Sequence, residues 1–197
     1  MPFTYDHCVD EPTRRRIIEY VKPLAVGLDG TTYSGDIDRI LAASERIAEE
    51  VPGIDRDLLF LLAVFSGQDR WVQRMGHGSR TEIFLSSLGF PNAAVAALFR
   101  GLPRIRSSPA TREEEIVHDA LALEEMGAYG IVRHLLEGYR ERRELPEMAE
   151  AIEQAAGRVL RTSAGETLAE SRRKTMREFA RRAREEQEEF RGPRSGG

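Results

Sequence analysis

The stretch Glu115-Ile-Val-His118-Asp119-Ala-Leu-Ala-Leu-Glu-Glu-Met126-Gly127-Ala-Tyr129-Gly130-Ile-Val-Arg133 decides how this chain is read. Its pattern is helical, and it holds two groups that can do chemistry, His118 and Asp119. Neighbouring residues on a helix point about 100° apart, so the two rarely address one ion together. Tyr129 and Arg133 follow Asp119 by ten and fourteen positions, which puts them on the next helix.

Outward from this stretch, helical punctuation continues and strand-like alternation is nearly absent. A first helix is expected from about Pro12 to Lys22, followed by the loop Gly27–Gly35. Asp36 can cap a second helix carrying Ile37, Ile40, Leu41, Ser44, Ile47 and Ala48 on one face. Pro52-Gly53 breaks it, and Asp55 caps a third, apolar helix that ends at Ser66-Gly67. Gly76-His77-Gly78-Ser79 reads as a loop, and a helix from about Thr81 stops at Gly89. Pro91 suits the first turn of the helix after that. Gly101–Pro109 is a loop, and Thr111-Arg-Glu-Glu114 and Ser163-Ala-Gly-Glu166 read as capping boxes. The second box opens a long terminal helix, and residues 191–197 read as a frayed tail.

At 197 residues the chain is long enough for one domain with a full core. It is 41% hydrophobic and 31% charged, with a formal net charge of −4. That balance offers no general attraction to nucleic acid or to an anionic membrane. The basic runs Arg172-Arg173-Lys174 and Arg181-Arg182 alternate with Glu and read as a solvated helical face. The single cysteine, Cys8, excludes an internal disulfide and a thiolate metal cluster. The longest apolar run, Leu58–Phe65, falls well short of the ~18 residues that suggest a membrane span. With no signal-peptide pattern at Met1–Asp6, a soluble cytoplasmic protein is expected.

The opening stretch resembles the last metal-site segment of HD-domain phosphohydrolases, with their phrase "IV-x-D-A-D-x-L-D-A-x-G-A-x-G-I-x-R". Gly35-Asp-Ile-Asp-Arg39-Ile-Leu is similar to that family's opening "H-D-x-x-H-x-x-R-V" helix, and Leu61-Leu-Ala-Val-Phe65-Ser66-Gly67-Gln68 to its "L-A-A-L-L-H-D-I" helix. Thr162–Phe179 is similar to the terminal helix of small bacterial members. The resemblance implies an all-α, HD-domain-like bundle of about seven to eight helices in one domain over residues 1–190.

In the family a His on the opening helix, the His-Asp pair and the later Asp hold a metal. Carried over, these become Arg39, Ser66, Gly67 and Asp119. A guanidinium has no free lone pair, serine is a poor ligand and glycine has no side chain, so only Asp119 keeps ligand chemistry. Neither a metal nor another cofactor is expected. Asp119 left alone in a former metal site would be a stranded charge, and pairing with Arg39 would resolve it. The alternative is that Arg39 is a solvated helix residue.

Three residues are candidate catalytic groups: Asp119, Arg39 and His77. His77 is either an acid–base group near neutral pH or a solvated loop histidine. Ser66, Gln68, Asp69, His118, Tyr129 and Arg133 are candidate ligand-binding groups. Arg104 and Arg106 join them, as a grip on phosphate or carboxylate or as an ordinary basic loop. Phosphate-loop, nucleophile-elbow and paired-His zinc motifs are missing from the sequence. The expectation is a protein that binds, or binds and transforms, a small polar or anionic molecule without a metal. A noncatalytic ligand sensor or protein-interaction module is the second reading, and a phosphohydrolase with non-standard metal ligands the third. The terminal helix suits either a packing arm or a homodimer surface.

Overall fold

The computed structural model describes residues 9–23, 34–67 and 77–189. Among these residues there are nine helices and no strand. They are α1 (Glu11–Val21), α2 (Ser34–Ala48), α3 (Arg56–Phe65), α4 (His77–Ser87), α5 (Asn92–Gly101), α6 (Arg112–Glu124), α7 (Gly127–Arg140), α8 (Leu145–Ala156) and α9 (Ser163–Glu189). The all-α expectation stands, with more helices than the seven to eight anticipated. The additional helix, Leu145–Ala156, was passed over in the sequence reading, although Pro146 in its first turn and the Glu144–Glu147 capping box mark its start. Contacts gather the chain into two units, Met1–Ala120 and Leu121–Gly197.

In the first unit α3 is the hub, packing against α1, α2 and α5, while α4 packs against α5. Leu59 to Phe65 are all buried, as a helix apolar on every side requires. Asp55 caps it by accepting from Asp57 N and Leu58 N, each at 3.0 Å. The start of α3 is also tied to the start of α6: Asp55 N donates to Glu113 Oε1 at 2.8 Å, and Arg112 to the Pro52 carbonyl at 2.6 Å. Tyr20 of α1 stacks on Phe84 of α4, ring centroids 4.0 Å apart.

In the second unit α7, α8 and α9 pack mutually. The link from α6 to α7 is a tight corner. Gly127 takes a positive φ of 75°, which a side chain would resist. A Cβ at Gly130 would lie 2.2 Å from the Glu125 carbonyl oxygen, so this close approach needs glycine. Arg172 of α9 closes the corner by donating to the Leu123 carbonyl at 2.6 Å.

Several local expectations are corrected. Helix α2 begins at Ser34, before Asp36, and α4 begins at His77, so residues 77–79 are helical rather than loop. Thr162, not Ser163, caps α9, accepting from Gly165 N at 3.0 Å. At α6 only half of the capping box forms: Thr111 Oγ1 accepts from Glu114 N at 3.3 Å, while the Glu114 carboxylate accepts from Ala110 N. The expected loop at 27–33 and the tail at 191–197 lie outside the described residues.

Candidate functional site

Asp119 lies in the third turn of α6 and is fully buried. Ile116, Val117, Ala120 and Leu123 on the same helix are buried with it, so the phrase that carries Asp119 is also a core-forming surface. An ionised carboxylate in such a setting is costly unless it has partners, and Asp119 is not without one.

Ser66 and Gly67 follow the end of α3, where its apolar run delivers them. Ser66 is 4% exposed, and its hydroxyl donates to the Ala63 carbonyl at 2.8 Å. That bond back to its own helix is the usual local use of a serine hydroxyl, and it spends the one donor this side chain has. A Cβ built on Gly67 would meet nothing within 4 Å.

Arg39 forms an ion pair with Asp36, one turn earlier on α2, and keeps 39% side-chain exposure. The acid that Arg39 pairs with stands three positions before it on the same helix.

Two of these positions carry carboxylates, Asp36 and Asp119. Asp36 is held by Arg39, Ser66 is turned to Ala63, Gly67 has no donor and Asp119 is the second carboxylate. Hydrolytic metal centres use three or more protein ligands plus an open position. Among the described residues, no three His, Cys, Asp or Glu side chains group so as to hold an ion.

The loop between α5 and α6 is built around Glu114, which is 2% exposed. Arg104 grips it with two bonds, Nε at 2.8 Å and Nη2 at 2.6 Å. The carboxylate pushes the Arg104 guanidinium pKa further above its ordinary value. Arg104 is thus engaged in holding its own loop, whereas Arg106 on the same loop is exposed. His118 is half-buried, with Nδ1 2.8 Å from the Ile105 carbonyl. A carbonyl only accepts, so Nδ1 carries the proton and Nε2 is the free nitrogen in the neutral ring.

Tyr129 is 40% exposed and Arg133 half-buried, both on α7 in the second unit. His77 is the first residue of α4, while Gln68 and Asp69 lie outside the described residues. Sequence reasoning gave Asp36 and Glu114 capping roles and missed their pairing with Arg39 and Arg104.

No family model matches the sequence, and no curated protein matches it. Solved structures do. The Lin1889 protein of Listeria innocua matches with a TM-score of 0.72 at 20% identity, over 89% of this chain and 97% of that one. An HD-superfamily hydrolase from Bacillus thuringiensis matches with a TM-score of 0.72 at 18% identity, over 90% and 97%. Bacillus subtilis YpgQ, solved in complex with ADP, matches with a TM-score of 0.67 at 17% identity, over 88% and 94%. The chain has the fold of the HD superfamily, as its opening stretch led us to expect. At these identities the likeness speaks to the fold, and function has to be argued from the site. Among the described residues no helix is long and apolar enough to cross a membrane.

Proposed function

We propose that this HD-fold protein has a disabled metal centre and binds, or binds and transforms, a small polar or anionic molecule without a metal. One observation carries the reading. Where the family has its His-Asp pair, this chain has a serine whose hydroxyl is spent on Ala63 and a glycine without a side chain. In this reading a guanidinium supplies the positive charge that a cation would otherwise bring. Arg39 is already held by one carboxylate, Asp36, and Asp119 is the second acid of the site. Ser66 and His118 are the neighbouring polar groups of the same unit that the reading assigns to a ligand.

The third reading, a metal-dependent phosphohydrolase with unusual ligands, draws support from Asp36, which falls at the histidine position when Arg39 is laid on the arginine of "H-x-x-R-V". An acid at the histidine position keeps two carboxylates in the donor set, although two fall short of a cage.

Elemental analysis of the purified protein, with calorimetric titration of Mn2+ and Fe2+, separates the two. The first reading expects no stoichiometric ion and no metal-dependent phosphate release. It also expects thermal stabilisation by an anionic probe in the presence of EDTA, lost in Arg39→Ala. ADP, which YpgQ holds in its crystal structure, and inorganic phosphate are the probes. A tightly bound ion that is lost in Asp119→Asn establishes the metal-dependent reading instead.

A further inference from the structure

Helix α7 has two faces of different character. Gly130, Ile131 and Gly138 are buried within the second unit, and Gly138 is so close to Met148 of α8 that a Cβ there would lie 2.6 Å from its Cγ. On the other face stand four large residues: Tyr129 at 40% exposure, Val132 at 52%, Leu136 at 46% and Tyr139 at 78%. At 3.6 residues per turn they fall within an arc of about 80°. Steps of three, four and three are those of a seam between packed helices.

The stripe reads the same in both directions. Tyrosines occupy its ends, branched aliphatic residues its inner positions, and the steps are symmetric about residue 134. Such a stripe is self-complementary. If a second copy of the helix lies antiparallel to the first, each tyrosine meets the partner's opposite tyrosine, and Val132 meets the partner's Leu136. A two-fold interface requires this property, the same patch matching itself reversed. From the exposures, the four side chains present about 400 Å², the size of the largest apolar patch on a typical monomer, which is often functional.

We infer that this face of α7 is a homodimer interface in which two copies pack antiparallel about a two-fold axis at residue 134. The stripe supplies about half of the ~800 Å² per partner of a standard interface. An interface of that size is a weak, reversible one rather than a permanent one.

Sedimentation velocity between roughly 1 and 300 µM protein tests this, a range that brackets micromolar dissociation. A concentration-dependent dimer is expected. Leu136→Glu, which puts two carboxylates near the axis, raises the dissociation constant at least about tenfold and moves the melting temperature little, because the residue is exposed. The second measurement is cross-linking in a Cys8→Ser background. Oxidising a mixture of Val132→Cys and Leu136→Cys proteins yields mainly the mixed disulfide dimer, and this holds whether or not Leu136→Glu folds. A monomer at every concentration overturns the inference. So does a dimer that Leu136→Glu leaves intact, or a mixture that gives no preference for the 132–136 cross-link.

Discussion

Replacing Gly130 with alanine tests whether the α6–α7 corner is built by close approach of backbone. Two effects oppose each other. Alanine in a helix interior is favoured over glycine by about 1 kcal/mol. Against it, the new Cβ would sit 2.2 Å from the Glu125 oxygen and 2.4 Å from its carbon, where real Cβ contacts essentially never fall below 3.0 Å. Relief requires the two helices to part by about 0.8 Å or more, and the obstacle is backbone, not the end of a flexible side chain. Overpacking of this kind costs about 1–3 kcal/mol or more, with a backbone clash at the upper end. The net expectation is a loss of about 2 kcal/mol. In a chain of this size that lowers the melting temperature by about 4–8 °C. Urea unfolding followed by far-ultraviolet circular dichroism measures it. Gly67→Ala is the control, since nothing lies within 4 Å of its added Cβ, and it should change stability by less than about 0.5 kcal/mol. A Gly130→Ala protein as stable as the parent, or more so, would show that helix propensity governs the corner and that the close approach is illusory.

Gly127→Ala should also destabilise, by about 1–2 kcal/mol, because its φ of 75° is strained for any side chain; unchanged urea midpoints would contradict this. Glu166 gives a pH signature. The Arg173 guanidinium, and then the bond from Leu160 N, lower its pKa from 4.5 to about 2. A depressed folded value means that its contribution is complete above about pH 4.5 and is lost as pH falls through about 2. Glu166→Gln should therefore melt below the parent at pH 6, with the gap closing towards pH 2; a gap independent of pH would refute the pairing. Glu114→Gln should lower the urea midpoint more than Arg104→Met does. The buried carboxylate also accepts from Ala110 N, whereas Arg104 is more than one-third exposed on its side chain; the reverse order would show that the arginine, not the acid, organises the loop.

Helical periodicity and the cap at Asp55 were enough to establish an all-α chain with α3 at its centre, because both depend on residues close together in sequence. The phrase around Asp119 pointed to the HD fold for a similar reason: its glycines meet a steric demand that any sequence turning this corner must satisfy. What one-dimensional reading could not decide was partnership. Arg39 had an acid one turn away on its own helix, and the pair with Asp36 depends on α2 starting at Ser34, inside the stretch read as a loop, so that Asp36 is helical rather than a cap. Arg104 and His118 looked available for a ligand, but the folded α5–α6 loop brings them to Glu114 and to the Ile105 carbonyl. The exposed symmetric stripe of α7 is likewise a tertiary fact. Its periodicity is that of any amphipathic helix, and only the packing of Gly130, Ile131 and Gly138 inward shows which apolar residues are left facing out. Spacing along a chain determines which side chains share a helix face; which of those faces, charges and hydroxyls find one another is decided by the packing of helices distant in sequence.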